Sequence, residues 1–158
     1  EIGSGLVGSE MCIRDRYKCY IKTHCQEITM EINRSKNFSQ DEITKLFLSV
    51  NWESAGYPEK LLYSVLTSET VLSCRENEKL IGLMTAISDG GMNVFFPYLL
   101  ISPDYQNKGI GKALVSEMLE IYRDYYRRIL ICSNEKAEFY KKCGMNICND
   151  QIPIMKIN

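Results

Sequence analysis

The sequence predicts an α/β (α+β) domain with a mixed, mostly antiparallel central sheet of six or seven strands and helices on both faces. Some segments alternate apolar and polar residues with the period of a strand, and others repeat apolar residues with the period of an amphipathic helix. Short turns join several strand segments, which favours antiparallel neighbours, and one helical crossover between two strand segments favours a parallel pair. Together these observations predict one mixed sheet rather than a helical bundle.

The first predicted elements are a strand and two helices. Residues 27–33 alternate apolar and polar side chains, as is typical of a strand. Ser39 and Glu42 have the spacing of a capping box, and Phe38 can form a hydrophobic staple with a residue in the first turn, so a helix is predicted directly after Ser39. A second helix is predicted from Pro58, because proline is tolerated at the first helical position. The side chains expected to face the core are Ile43, Leu46, Phe47 and Val50 in the first helix and Leu61, Leu62, Val65 and Leu66 in the second.

Three antiparallel strands are predicted next. The segments 70–75 and 79–88 have strand composition and flank the short turn 76–78. Asp89-Gly90-Gly91 is a hairpin signal, so a long strand over 92–101 is expected to pair with the strand before it.

The last part of the chain predicts a helix, a strand and a second helix. Residues 128–132 predict a short buried strand, parallel to the strand that precedes the first of these helices. Residues 135–143 predict a helix closed by Gly144 at its C-cap, and Ile147 and 152–157 are expected to finish the sheet. The inner stripe of the first of these helices is expected to be Ile110, Leu114, Met118 and Ile121.

Composition limits the function classes. The chain has 158 residues, 45% of them hydrophobic and 25% charged, as expected for one globular domain. A net charge of −1 argues against nucleic acid or an anionic membrane as a partner, and no apolar run reaches the roughly 20 residues that span a bilayer. The seven cysteines are scattered and His24 is the only histidine, so we expect free thiols, no metal and a cytoplasmic location.

The first residues are expected to lie outside the domain. Residues 5–16 have no amphipathic period and resemble translated sequencing-adapter sequence. We therefore predict that 1–26 is a non-native or disordered leader and that 27–158 is a single domain. His24 and Cys25 fall in this leader and are assigned no catalytic role.

The turn after the long strand has the properties of an anion site. The apolar strand ends at Ile101, Pro103 interrupts the sheet ladder, and Gly109-Ile110-Gly111 opens an amphipathic helix. The first N–H groups of a helix have no partner within it and lie at the positive end of its dipole. Lys108 and Lys112 add positive charge, so the sequence predicts a site for a phosphate group.

Two motifs in this half of the chain resemble those of one enzyme family. Residues 106–111 form Gln-x-x-Gly-x-Gly after a strand that ends in apolar-x-Pro, and residues 139–144 form Phe-Tyr-x-x-x-Gly at the end of a helix. Both motifs, in this order, resemble those of the GCN5-related N-acetyltransferases (GNAT), and the resemblance extends from about residue 27 to the C-terminus. It implies a sheet splayed between its fourth and fifth strands, with acetyl-CoA as co-substrate.

The resemblance also implies roles for individual residues. Tyr140 would serve the leaving thiolate, and a backbone N–H near Leu100 would stabilise the oxyanion. The pantetheine arm would pair with Leu99, Leu100 and Ile101. The diphosphate would bind the turn and helix start, comprising Gln106, Asn107, Lys108, Gly109, Ile110, Gly111, Lys112 and Ala113. The acceptor would lie near Trp52, Tyr57 and Tyr98.

The resemblance implies a bacterial-like enzyme that moves an acetyl group to a primary amine of a small molecule by direct attack. Two alternatives stay open: a non-catalytic CoA-binding sensor, and an acetyltransferase for protein N-termini or lysines. The general base is also open among Glu53, Asp89 and a water near Tyr98. We expect a monomer or homodimer.

Overall fold

A computed structural model describes residues 16–22 and 27–156 of the chain. These residues form a seven-stranded mixed sheet, four α-helices and two short 3-10 helices. The strands are β1 (Arg16–Lys22), β2 (Glu27–Asn33), β3 (Thr70–Glu76), β4 (Lys79–Ser88), β5 (Asn93–Phe95), β6 (Leu99–Ile101) and β7 (Arg127–Ile129). The helices are α1 (Gln40–Ser49), α2 (Pro58–Thr67), α3 (Ile110–Ile121) and α4 (Asn134–Lys142), and the 3-10 helices are Glu53–Gly56 and Pro103–Tyr105.

The sheet has the strand order β1-β2-β3-β4-β5-β7, and β6 pairs separately with β4. The pair β5 and β7 is parallel, and every other described pair is antiparallel. This arrangement confirms the predicted fold class. β1 pairs along its length with β2. The assignment of residues 1–26 to a non-native leader stays a prediction, and His24 and Cys25 lie outside the described residues.

The start of α1 combines a cap with an ion pair to the sheet. The Ser39 hydroxyl accepts a hydrogen bond from the Glu42 N–H at 3.2 Å, as the capping-box spacing predicts. The Glu42 carboxylate, however, binds both terminal nitrogens of the Arg75 guanidinium on β3. The side chains are only 24% and 23% exposed, so this bidentate pair fixes α1 against the sheet in addition to its apolar contacts.

Helices cover the two faces of the sheet and enclose two core clusters. α1 and α2 pack on one face, where Ile43, Phe47, Leu61 and Val65 are buried. α3 packs on the other face, where it contributes Ile110, Leu114, Val115 and Met118, and α4 covers the edge of the same cluster. Leu66 is 37% exposed, so the prediction that it faces inward is wrong: α2 turns only Leu61 and Val65 fully toward the core.

Two predictions for the C-terminal part are wrong. β7 spans Arg127–Ile129 and is exposed, whereas a buried strand over 128–132 was expected. No strand occurs in 144–156, although residues 152–157 were expected to finish the sheet. In the described structure β7 pairs on one side only, which leaves its side chains uncovered, and Pro153 has no N–H to donate to a ladder. Residue 157 lies outside the described residues.

Candidate active site at the splayed strands

The predicted long strand over 92–101 is divided by a β-bulge into β5 and β6. Ile87 of β4 lies opposite Phe95, and Met84 of β4 lies opposite Leu99. Two residues of β4 therefore face three residues of the other strand, and the extra residue bends the chain. Pro97 lies in this interval, where it has no N–H to donate to a ladder. The prediction of one continuous strand is wrong for this reason.

The bulge opens the sheet between its two parallel strands. Before the bulge, β5 pairs with β7, and the Phe96 N–H donates to the Ile129 carbonyl at 2.8 Å. After the bulge, β6 pairs with β4, and no described residue pairs with its other side. We call the gap between β6 and residues 130–133 the slot. It lies between the segments 92–101 and 128–132, where the family resemblance implies a splay.

Backbone alternation determines which groups of β6 face the slot. The Thr85 N–H donates to the Tyr98 carbonyl at 3.0 Å, and the Ser102 N–H donates to the Ile81 carbonyl at 2.8 Å. Because successive residues of a strand point their backbone groups in opposite directions, the Leu100 N–H faces β4. The groups of Leu99 and Ile101 face the slot instead. An oxyanion donor in this strand therefore belongs to a neighbour of Leu100 rather than to Leu100 itself.

One of these slot-facing groups already has a partner. The Ile101 carbonyl accepts a hydrogen bond from the Gln106 side-chain amide at 3.0 Å. This bond ties the start of the turn to the end of β6. Gln106 therefore has a structural role at the entrance of the turn, and the Leu99 N–H and carbonyl stay directed toward the slot.

The N-terminus of α3 presents free backbone donors. Gly109 is the N-cap in a left-handed conformation (φ 84°) and supplies no side-chain cap. The first helical bond runs from the Ala113 N–H to the Gly109 carbonyl at 3.0 Å. Among the described residues, none accepts a hydrogen bond from the N–H groups between Asn107 and Lys112. These donors, with the positive end of the helix dipole, make a place for an anion.

Three lysines add positive charge near this turn. The Lys108 Nζ lies 4.8 Å from the centre of the Tyr105 ring, and the Lys79 Nζ lies 5.6 Å from it. The Tyr105 hydroxyl donates a hydrogen bond to Glu76, which holds the ring beside both ammonium groups. Lys112 is exposed in the first turn of α3. Sequence reasoning missed Lys79, because it comes from the start of β4, far from the motif in sequence.

Gly111 has a packing reason as well as a place in the motif. A Cβ atom at this position would lie 3.2 Å from the Phe139 Cζ of α4. A larger residue here would displace the Phe139 ring by a few tenths of an ångström. The second glycine of the motif thus allows close packing of α3 against α4, which carries Tyr140.

Tyr140 lies on α4 in the cluster that also contacts Leu99 and Ile101. Its ring packs edge-on against Phe139, with the centroids 5.0 Å apart. Burial raises the pKa of Tyr140 to about 12, and the nearby Cys132 and Cys143 thiols add to the rise. The structure shows no described partner for its hydroxyl, which therefore stays protonated and able to donate.

The predicted acceptor residues separate into two groups. Trp52, Tyr98 and Phe47 form an aromatic trio: Phe47 lies 5.8 Å from Trp52 and 5.0 Å from Tyr98, and Trp52 lies 5.4 Å from Tyr98, between ring centroids. Tyr57 is not part of the trio. It is 62% exposed and carries the Lys60 Nζ at 5.6 Å from its ring centre. Sequence reasoning assigned Phe47 to the core alone, since its helical spacing gives no signal of a second role.

Of the candidate bases, Asp89 has a clear structural role. Its carboxylate accepts hydrogen bonds from the backbone N–H groups of Gly91, Met92 and Asn93 and from the Asn93 side chain. The bonds from Asn93 are the main cause of a pKa well below the usual range, which makes the group a poor base. Asp89 also follows the end of β4 remote from Gly82, the residue opposite Ile101. Glu53 is exposed in the 3-10 helix beside Trp52.

The described residues provide neither a metal site nor a membrane-spanning helix. In residues 16–22 and 27–156, no cluster of His, Cys, Asp and Glu side chains could hold a metal ion. In the same residues, none of the helices has the length and apolar character required to cross a bilayer.

Comparison with known proteins identifies the family. The model of the acetyltransferase (GNAT) family matches residues 37–145, which is more than half of the chain. The chain belongs to the GNAT acetyltransferase family. The match covers the bulge, the turn before α3 and the helix that carries Tyr140.

Two relatives show how far the likeness extends along this GNAT chain. It is 28% identical over 119 residues to the uncharacterised N-acetyltransferase ycf52 of Pyropia yezoensis, covering 72% of this chain and 68% of that protein. It is 33% identical over 126 residues to the chloroplastic GCN5-related N-acetyltransferase 3 of Arabidopsis thaliana, covering 78% of this chain and 53% of that protein. The GNAT chain therefore spans about half the length of the second relative.

Solved structures share the fold. An acetyltransferase of the GNAT family from Streptococcus pneumoniae superposes with a TM-score of 0.72 at 24% identity, covering 82% of this chain and 98% of that one. The glucosamine-6-phosphate N-acetyltransferase of Arabidopsis thaliana superposes with a TM-score of 0.62 at 17% identity, covering 82% and 98%. These likenesses establish the GNAT fold of the chain.

Proposed function

We propose that this GNAT protein is an acetyl-CoA-dependent N-acetyltransferase that acts on a primary amine of a small molecule by direct attack in a ternary complex. One observation carries the proposal: backbone N–H groups from Asn107 through Lys112 have no described acceptor and lie beside an open slot in the sheet. A phosphate-bearing thioester needs both features, since one end is an anion and the other must reach into the fold.

The chain's groups fit the chemistry of CoA. The N–H groups at the start of α3 would bind the diphosphate, and Lys108 and Lys112 would balance its charge. The Leu99 carbonyl and the Ile101 N–H face the slot and have no partner among the described residues, which suits the amides of a pantetheine arm and leaves the Leu99 N–H for the thioester. Acetyl-CoA would supply the activated acetyl group.

Two donors would act on the reacting atoms. As the amine nitrogen bonds to the thioester carbon, the Leu99 N–H would donate to the developing oxyanion. When the C–S bond breaks, the Tyr140 hydroxyl would donate a hydrogen bond to the thiolate. With a pKa of about 12 for Tyr140 and about 8.5 for a thiol, full proton transfer is uphill by roughly 5 kcal/mol. Tyr140 therefore acts as a hydrogen-bond donor, and the amine's proton leaves to solvent.

The acceptor must lose a proton before it attacks, because an ammonium has no lone pair. With Asp89 tied to its own turn, the candidates that the structure leaves are Glu53 and a water near Tyr98. An apolar environment lowers the pKa of an amine, which reduces the need for a strong base. Holding amine and thioester together would then supply much of the rate.

The proposal is tested by measuring thiol release from acetyl-CoA with a panel of primary amines. We expect turnover with at least one amine. In the double variant Lys108→Gln/Lys112→Gln, the KM for acetyl-CoA should rise about tenfold, because two charges near the diphosphate are lost. Arg123→Gln is the matched control: this residue follows the far end of α3 and pairs with Glu120 and Asp124. Equal effects of the two changes would contradict a diphosphate at the start of α3.

The sensor alternative has one observation in its favour. Residues 92–101 contain no carboxylate that could act as a base, and Asp89 is occupied by its turn. A CoA-binding sensor would bind CoA in calorimetry with the same dependence on Lys108 and Lys112. It would give no acetylated product with any amine, and that result would replace the catalytic proposal.

A further inference from the structure

The aromatic trio of Phe47, Trp52 and Tyr98 defines one wall of the acceptor side. The Phe47 ring is fully buried and stands edge-on to both other rings, at interplanar angles of 84° to Trp52 and 80° to Tyr98. Trp52 is 37% exposed, so an aromatic surface reaches solvent. The trio is therefore anchored in the core at one end and accessible at the other.

The backbone holds this wall in place. The Trp52 N–H donates to the Phe47 carbonyl at 3.2 Å, and the Ala55 N–H donates to the Trp52 carbonyl at 3.0 Å. The Tyr98 carbonyl accepts from the Thr85 N–H on β4. Each ring thus belongs to an element that is hydrogen-bonded to its neighbours, and the surface is formed without a ligand.

The trio lies beside the proposed reaction site. Tyr98 is the last residue of the bulge and directly precedes Leu99, whose N–H faces the slot. Tyr98 packs against the cluster under α1 and α2, whereas Leu99 and Tyr140 pack against the cluster under α3. An amine that reaches the slot from the side of α1 and α2 therefore passes the trio.

The segments around the trio carry few charged side chains, which argues against two acceptor chemistries. A phosphosugar needs several basic groups, and a polycationic aminoglycoside needs several carboxylates. Within the loop 51–57 and residues 95–100, the only charged side chain is Glu53, which is exposed. Lys60 lies over Tyr57, which is outside the trio. The described residues at this wall thus offer aromatic surface and at most one carboxylate.

We infer that the acceptor is a monoamine whose amino group is joined by a short chain to an aromatic or other apolar group, which packs on the trio. This inference rests on the proposed acetyl transfer. Aromatic rings bind such a group by burial, and their faces tolerate a neighbouring cation. Desolvation at the wall also lowers the pKa of the amine, so the acceptor arrives partly neutral at a site with little base.

A matched amine panel tests the inference. Phenethylamine, ethanolamine, spermidine, glucosamine 6-phosphate and an aminoglycoside are compared at saturating acetyl-CoA. We expect kcat/KM for phenethylamine to exceed each of the others by at least about tenfold, as expected for burial of one ring. Turnover that favours a sugar phosphate or a polycation would overturn the inference and leave acetyl transfer intact. If no amine is turned over, the result would instead count against acetyl transfer itself.

Two single variants distinguish the contribution of the aromatic trio from that of a nearby aromatic residue outside it. Trp52→Leu should lower kcat/KM for phenethylamine at least fivefold while changing that for ethanolamine and the KM for acetyl-CoA less than twofold. Tyr63→Leu is the matched control, a 72% exposed aromatic of α2 outside the trio, and should leave all three values within twofold. An equal loss for both amines in Trp52→Leu, or an equal effect of the two variants, would overturn the inference.

A binding readout completes the test. Trp52 is the only tryptophan of the chain, so its fluorescence reports directly on this wall. Phenethylamine should change the emission of the CoA-bound protein in a saturable manner, and ethanolamine at the same concentrations should not. No change with phenethylamine, despite its turnover, would place the ring elsewhere and overturn the inference.

Discussion

Tyr140 combines burial with a hydroxyl that no described residue uses. Burial raises its pKa to about 12, above the value near 10 of an exposed tyrosine. The phenol therefore stays protonated through the neutral and moderately basic range. Such a group is suited to donate a hydrogen bond to a thiolate rather than to deliver its proton.

Replacing this hydroxyl should slow the reaction without weakening binding. In Tyr140→Phe, we expect kcat to fall about 10- to 100-fold and the KM for acetyl-CoA to stay within about threefold, because the donor acts on the leaving group. Steady-state kinetics measure both values. Tyr126→Phe is the control, since Tyr126 is 73% exposed and directly precedes β7. A change in KM alone would mean that Tyr140 only positions the cofactor.

The same pKa fixes the shape of the pH profile. The rate should rise with pH as the acceptor amine loses its proton. Up to pH 10 the rate should show no decline, because Tyr140 titrates only near pH 12. Below about pH 10 the folded and unfolded states both keep the phenol proton, so this group does not change the free energy of unfolding with pH. Above pH 10 the unfolded state loses its proton first, so the free energy of unfolding falls as the pH rises toward 12. Rates of the wild type between pH 6 and 10 check this expectation. A falling limb that disappears in Tyr140→Phe would contradict it.

Thr85 illustrates a different residue-level effect, a buried hydroxyl without a partner. The residue is fully buried, and its Oγ1 has no described hydrogen-bond partner. Thr85→Val keeps the shape and removes the polar atom, so the free energy of unfolding should rise by about 1 kcal/mol. Urea denaturation measures it. Ser73→Ala is the contrasting variant, because the Ser73 hydroxyl donates to the Asn33 carbonyl at 3.3 Å and its loss should destabilise. Destabilisation by Thr85→Val would show that the hydroxyl has a partner in solution.

At the scale of elements, α3 and α4 meet through a glycine. Gly111 of α3 allows Phe139 of α4 to approach, and Phe139 is adjacent in sequence to Tyr140. The position of the proposed donor thus depends on a contact between two helices.

A methyl group at this contact should therefore disturb the site. In Gly111→Ala, the added carbon meets the Phe139 Cζ at 3.2 Å, so the Phe139 ring must move by a few tenths of an ångström, and we expect this displacement beside Tyr140 to lower kcat/KM for acetyl-CoA about tenfold. Phe139→Leu in the same chain should recover part of the loss, since a smaller side chain relieves the contact. Gly91→Ala is the control, because a Cβ there meets nothing within 4 Å. Full activity of Gly111→Ala would refute the packing argument.

Elements with a local chemical signal were predictable from sequence. The Ser39 cap, the first-turn Pro58 and the left-handed Gly144 each fix a helix boundary through their own backbone or side chain. Strand periodicity did not indicate the bulge, because an extra residue leaves the alternation intact on either side and changes only which strand atoms face each other. Only the family resemblance implied the splay. The exposure of β7 depends on what covers its outer side, which no local pattern records.

For the whole molecule, the site required residues that the sequence separates. The motif at 106–111 and Tyr140 could be proposed from the sequence because each has a local pattern. Phe47 and Lys79 were missed because their contribution arises from packing across elements, against Trp52 and Tyr98 in one case and against Tyr105 in the other. Glu42 was found as a capping residue, yet its carboxylate is used by Arg75 on the sheet.

The bulge also decides on which side of the sheet each ring lies. Phe96 packs under α3, whereas Tyr98, two positions later, packs under α1 and α2. In an uninterrupted strand these two side chains would lie on the same side of the sheet, and the strand could pair with its neighbours along its whole length. A one-residue gap at this point in a comparison of homologous chains would thus mark a change of chemistry rather than a mere difference in length.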